Sequence, residues 1–256
     1  MRGTCLFVLA VAKACTPGDY TGSWPNNQYC CPDGAFRSAC CGEGFLDPSA
    51  AVNGILTINA DVPKNAYRKC QLLTSLTVTI GPNVASVGRA SFYDANLAGV
   101  DFTTSAEGLV VFYAAFQSCG SLLEVQFGSA GVVLGNQAFS GCDALVEVKG
   151  GTGAIDIGDE AFYWPKNLVR ADFALADGSS FGARAFKLCR KLEYLALPST
   201  VASMGTQVFD DIKSTTCCLP PTACASHQAA FGGPSTGAYI PDPCEPPSPP
   251  PPPPAA

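Results

Sequence analysis

Residues Gly135 to Val148 read "GNQAFSGCDALVEV", and a close copy, "FYAAFQSCGSLLEV", stands upstream at Phe112 to Val125. In both, an Ala-Phe pair is followed by a Cys three residues after the Phe and a Leu six after it. Anchoring on that aromatic position extends the series to Tyr67, Phe92, Phe116, Phe139, Phe162, Phe186 and Phe209, at intervals of 25, 24, 23, 23, 24 and 23 residues. A fixed period of roughly 20–50 residues is the signature of a solenoid, whose units bury their cores only by stacking on their neighbours.

Each unit has physical content. Four residues before the anchor stands Gly88, Gly135, Gly158, Gly182 or Gly205, which reads as a turn needing a positive φ. The residue just before the anchor is usually Ala (Ala66, Ala115, Ala138, Ala161, Ala185), small enough for coils to approach closely. Cys70, Cys119, Cys142 or Cys189 follows at three residues and Leu73, Leu122, Leu145, Leu168 or Leu192 at six, a spacing that predicts a short helical or 3₁₀ turn with its apolar side inward. Alternating stretches such as "LEVQF", "VEVKG", "VRADF" and "EYLAL" then predict short strands with one buried face. A second apolar touch, as in "VVLG" and "AIDIG", leads into the next Gly.

These phrases, with "LTVTIGPNVASVGRASF" and "LALPSTVASMGTQVF", resemble the BspA-like, or Treponema pallidum-type, leucine-rich repeat, whose units read approximately L-x-x-I-x-I-P-x-x-V-x-x-I-G-x-x-A-F-x-x-C. Ala95 and Pro165 replace the Cys, Phe112 replaces a Gly, and the unit around Tyr67 is degenerate. The resemblance implies a cell-surface or secreted protein that binds other macromolecules, many members being adhesins. The expected fold is a β-rich repeat solenoid of leucine-rich-repeat type, right-handed, with parallel strands, short helical turns and disulfide-stapled caps. The expected organisation is a signal peptide over 1–14, a Cys-rich cap over 15–54, repeats over 55–212, a second Cys-rich cap over 213–244 and a proline-rich tail over 245–256.

Composition supports export. "MRGTCLFVLAVAKAC" has Arg2, an apolar run from Cys5 to Ala12 and a small-x-small Ala12-Lys13-Ala14, the pattern of a secretory signal. Of the fourteen cysteines, Cys5 would leave with it, while Cys15, Cys30, Cys31, Cys40 and Cys41 crowd one flank and Cys217, Cys218, Cys224 and Cys244 the other. Such density in short flanks reads as disulfides. The "CC" doublets lack the C-x₂-C spacing of zinc ligands, so no metal and no cofactor is expected. Five N-terminal thiols and Cys70 make three bridges, and the C-terminal four make two. Cys119, Cys142 and Cys189 are left as buried, reduced thiols. Distance permits a Cys119–Cys142 bond on adjacent coils; the parallel side-chain directions oppose it.

A net charge of −6 argues against nucleic acid and anionic membrane surfaces, and no apolar run is long enough to span a bilayer. Catalysis has little support: there is no P-loop, G-x-S-x-G or H-E-x-x-H, the one histidine is His227, and the acids of "IDIGDEAF" fall in a turn. The strand residues that face outward make the candidate binding face. Eight past the anchor are Ser75, Glu124, Glu147, Arg170 and Tyr194; ten past are Thr77, Gln126, Lys149, Asp172 and Ala196, with Asp101 joining after a one-residue gap. The expected partner is an extracellular protein or glycan. "CEPPSPPPPPPAA" should form extended polyproline II and resembles wall-glycoprotein linkers, a possible cell-wall tether. Two other readings remain: a wall or matrix spacer with no ligand, and an intracellular scaffold should the signal be spurious.

Overall fold

The computed structural model describes residues Tyr20–Thr21, Gln28–Cys30, Phe36–Arg37, Cys41, 48–212, 217–220, Thr222, Ser226, His227, Ala230 and 242–243. The signal, the proline-rich tail, Cys15, Cys31, Cys40, Cys224 and Cys244 lie outside them, as do the side chains of Cys30 and Cys217. Near the N-terminus, β1 (Tyr20–Thr21), β2 (Gln28–Cys30) and β3 (Phe36–Arg37) pair antiparallel.

The repeats form two parallel sheets. The first runs through β4 (Ile55–Ile58), β5 (Thr77–Ile80), β7 (Gly99–Phe102), β9 (Glu124–Phe127), β11 (Glu147–Lys149), β13 (Arg170–Asp172), β15 (Tyr194–Ala196), β17 (Cys217–Leu219) and β18 (Asp242–Pro243). The second comprises β6 (Ser86–Val87), β8 (Leu109–Val111), β10 (Val132–Leu134), β12 (Ile155–Ile157), β14 (Ser179–Phe181) and β16 (Val201–Met204). What the sequence offered as a second apolar touch is therefore a complete sheet. Its strands bury alternate residues, as Val132 and Leu134 do around the exposed Val133.

Between the sheets each coil turns through its Ala-Phe phrase, where the backbone alternates two kinds of hydrogen bond. In the coil of Phe116, the amides of Ala115, Gln117 and Cys119 donate three residues back, to Phe112, Ala114 and Phe116. Those of Ala114, Phe116 and Ser118 donate across to Asn136, Ala138 and Ser140 of the next coil. The expected 3₁₀-type turn is thus interrupted at every second residue, and among the described residues regular 3₁₀ helix follows an anchor only at Gln71–Leu73. Serving two directions alternately requires an alternating backbone. Two residues before the anchors, Asn65, Ala90, Ala114, Gln137, Glu160, Arg184 and Gln207 all have φ of 53–62°. Two residues after, Lys69, Asp94, Ser118, Gly141, Trp164, Leu188 and Asp211 do the same at 55–69°. Only one of these fourteen is a glycine.

The glycines four before five of the anchors correct the expectation drawn from them. None has a positive φ. A Cβ on Gly88, Gly135, Gly158, Gly182 or Gly205 would instead stand 2.5–2.8 Å from backbone atoms of the preceding coil. Their role is close approach of coils. Phe112, half exposed in the same column, marks the one regular coil in which that approach admits a side chain.

The core is a column of parallel rings. Tyr67, Phe92, Phe116, Phe139, Phe162, Phe186 and Phe209 stack with centroids 4.7–5.4 Å apart, all fully buried. Each such burial is worth about 1.5–3 kcal/mol of transfer free energy. Leu73, Leu122, Leu145, Leu168 and Leu192 fill the space beside them.

Cys70 bonds to Cys41, tying the N-terminal flank to the first coil, and Cys218 is also disulfide-bonded. Cys119, Cys142 and Cys189 are free and buried. Their thiols point to the carbonyls of Phe92, Phe116 and Phe162 at 3.1, 3.3 and 3.7 Å. At Phe162 the thiol stands in for a turn amide that Pro165 lacks. Burial pushes the Cys119 and Cys189 thiols well above their ordinary pKa, which makes them poor nucleophiles at neutral pH. Alkylation without reductant is accordingly expected to reach Cys119, Cys142 and Cys189 only after denaturation. Native labelling of these peptides, or a Cys119–Cys142 cross-linked peptide, would contradict the assignment.

Candidate functional site

Strand register decides which outward residues share a column. Across the first sheet Thr77, Gly99, Glu124, Glu147, Arg170 and Tyr194 are in register, and beside them Thr79, Asp101, Gln126, Lys149, Asp172 and Ala196. Asp101 therefore stands in the column expected for it. Thr77 does not: it belongs to the column of Glu124 rather than that of Gln126, and Thr79 takes the expected place. The cause is the degenerate first unit, which carries two extra residues between Leu73 and its strand, so counting ten from Tyr67 falls two residues short. Ser75 falls in the loop before β5, at φ 63°. Ala196 is buried.

The charged members are bonded to one another. Lys149 reaches Glu147 at 3.1 Å and Glu124 at 3.3 Å, and Arg170 reaches Glu147 at 3.3 Å and Asp172 at 2.6 Å. The Arg170 guanidinium also lies over the Tyr194 ring, 3.8 Å from its centre. Glu147 and then Glu124 hold the Lys149 ammonium above its ordinary pKa, so it stays charged through the neutral range. Solvated pairs like these contribute about 0–1 kcal/mol each to stability; what they fix is the position of the heads. Asp101 and Asp172 are partly committed to the strand ends, accepting from the amides of Thr103 at 2.7 Å and Ala174 at 3.2 Å.

Two shallow depressions flank this network. One joins Thr77, Ala98, Leu123, Glu124, Val146 and Glu147, the other Gln126, Lys149, Arg170, Asp172 and Leu175. Leu123, Val146 and Leu175 are 51%, 42% and 71% exposed, apolar anchors that strand alternation alone passes over. A sequence signal for two of them exists: the inward Leu at six past the anchor is followed at once by a second apolar residue, in "LL" and "LV".

Two acids of "IDIGDEAF" are structural, while Asp156 stands exposed on β12 and not in the turn expected for it. Asp159 accepts from the Ala183 amide at 2.8 Å, and Glu160 pairs with Arg184 at 2.9 Å while accepting from Gln137 at 2.8 Å. His227 is half buried, and its carbonyl accepts from the Ala230 amide at 2.8 Å. Among the described residues no group of three His, Cys, Asp or Glu stands close enough to hold a metal ion, and no helix is long and apolar enough to cross a membrane.

The family profile described as "BspA type Leucine rich repeat region (6 copies)" matches residues 57–169 and 109–235, which together cover more than half of the chain. The chain belongs to the BspA-type leucine-rich-repeat family. Two solved structures of leucine-rich-repeat proteins are similar to this BspA-type chain. That from T. pallidum is 21% identical with a TM-score of 0.34, over 63% of this chain and 73% of that one. That from Bacteroides ovatus is 11% identical with a TM-score of 0.20, over 78% and 91%. No curated protein matches the sequence.

Proposed function

We propose that this BspA-type protein is a secreted or cell-surface, non-enzymatic binding module that engages another extracellular macromolecule through the outward face of its first sheet. The observation that supports this most is the cross-coil network of Glu124, Glu147, Lys149, Arg170 and Asp172, which holds charged groups from three consecutive strands at fixed positions beside Tyr194. Such preorganised charge serves specificity and encounter rate more than affinity. With Asp101, four carboxylates oppose two cations, a surplus of two negative charges that favours a partner presenting basic groups.

Magnitudes favour a protein partner that spreads beyond the strands. Six strands at about 4.8 Å make a face about 25 Å long, and three residues of strand make it about 10 Å wide. The resulting area of ~250 Å² is well under the ~800 Å² per partner of a standard interface. Leu123, Val146 and Leu175, exposed at its borders, extend it with the apolar anchors that such interfaces use.

The decisive experiment immobilises the whole chain and scans extracellular-matrix proteins. A double variant, Glu124→Lys with Glu147→Lys, is expected to lose at least roughly tenfold in affinity for whatever binds, because it reverses the acidic surplus that a basic partner would meet. Wild-type affinity in that variant would remove the strand face from the interface. Export is tested separately: mass spectrometry of protein from a secreting host is expected to show a mature chain beginning near Cys15, and a chain retaining Met1 would contradict secretion through this segment.

A further inference from the structure

The turn edge carries a groove that belongs to neither parallel sheet. Its walls come from three consecutive coils, with Gln117 and Ser118 on the first, Asp143 on the second, and Tyr163, Trp164 and Lys166 on the third. Trp164 is the unusual member. It stands two past its anchor, where the backbone is held at φ 61°, and directly before Pro165. Bulky residues are rare at positive φ, and a residue before proline is steered toward extended backbone. Six other coils fill this column with Lys69, Asp94, Ser118, Gly141, Leu188 or Asp211. Burial does not offset the choice of indole here, since the ring is 50% exposed.

The charges in the groove are already matched. Lys166 pairs with Asp143 at 2.5 Å, and Glu160, at the rim, is held by Arg184 at 2.9 Å. That leaves no unpaired cation for a sulfate, a uronate or a phosphate. What remains is an aromatic platform next to an amide and a hydroxyl: Gln117 and Ser118 carry no side-chain hydrogen bond among the described residues. An apolar ring face ringed by small polar groups matches one ligand chemistry, a pyranose, whose C–H face stacks on indole while its hydroxyls bond amides, hydroxyls and carboxylates. We propose that this groove binds a neutral oligosaccharide, with Trp164 as the stacking platform and Gln117, Ser118 and Asp143 as hydroxyl partners. Lys166, exposed and 5.5 Å from the centre of the indole, covers part of that platform through a contact that solvated cations hold weakly, and swings aside on binding. The site is independent of the strand face.

The test is calorimetry and tryptophan fluorescence on the whole chain with cellohexaose, laminarihexaose and chitohexaose as neutral probes and a heparin hexasaccharide as the anionic one. At least one neutral probe is expected to bind and to shift the emission, which only Trp24 and Trp164 produce. Trp164→Ala should weaken that binding at least tenfold and abolish the shift, while Trp164→Phe keeps a measurable part of the affinity. Gln117→Ala, at a side chain without a bond to lose, should weaken binding severalfold without touching the fold. Arg170→Ala, on the strand face, should leave oligosaccharide binding unchanged. No binding of any neutral probe at millimolar concentration would overturn the proposal. So would preference for the heparin probe, equal binding by Trp164→Ala, or a Trp164-dependent protein partner with no oligosaccharide binding.

Discussion

Phe139→Ala is expected to destabilise the protein by about 3–5 kcal/mol, the cost of emptying a closed aromatic site. Phe139 sits between Phe116 and Phe162, with centroids 4.9 and 5.1 Å away and planes within 3°, and meets the edge of Phe102 at 6.4 Å. Its neighbours cannot collapse into the gap, because each is fixed by its own stacking partner one coil further on. Equilibrium denaturation in urea, with the slope of the transition checked against wild type, measures the loss. Phe112→Ala is the control. That ring is 49% exposed and its removal should move stability by no more than about 0.5 kcal/mol. A shift below 1 kcal/mol for Phe139→Ala would show that the ring column is not the spine of the fold.

Gly151→Ala should cost about 2–3 kcal/mol or more, for a reason opposite to a cavity. A Cβ there would lie 1.7 Å from the Gly128 carbonyl oxygen, within backbone of the preceding coil that has no soft atom to yield. The coils would have to part at that edge and lengthen the hydrogen bonds from Thr152 and Gly153 to the same Gly128 carbonyl. Gly108 supplies the contrast. Nothing lies within 4 Å of its added Cβ, but its φ is +73°. Gly108→Ala should therefore cost only about 1–2 kcal/mol, the ordinary penalty of a left-handed Ala, and Gly108→Asn less. Equal effects at Gly151 and Gly108 would mean that the coils are not in backbone contact at Gly151.

Much of this was legible in the sequence because it repeats. The Ala-Phe phrase recurs with its Leu and Cys at constant offsets, so the period, the buried rungs, the inward strand residues and the three buried thiols could be assigned from spacing. Within a regular unit the same counting placed Glu124, Glu147, Arg170 and Tyr194 in one column and Gln126, Lys149 and Asp172 in the next. Counting failed where the unit is irregular. Thr77 moved to the other column because two extra residues precede β5, and register is decided by pairing with the neighbouring strand rather than by distance from Tyr67.

Everything that depends on contact between coils needed the tertiary structure. Residues such as Lys149 and Glu124, or Gly151 and Gly128, are more than twenty apart in the chain, and no local pattern marks them as partners. Glycine before five of the seven anchors suggested a turn; the neighbouring backbone shows that it makes room. Conversely, thirteen residues with side chains, two before or two after an anchor, adopt positive φ against local preference, because alternate amides then reach the next coil. The sequence by itself determined that this chain stacks as a solenoid and which side chains fill it, since burial of a repeated apolar pattern has one solution. Which surface residues meet, on the strand face and around Trp164 alike, was decided only when one coil settled against the next.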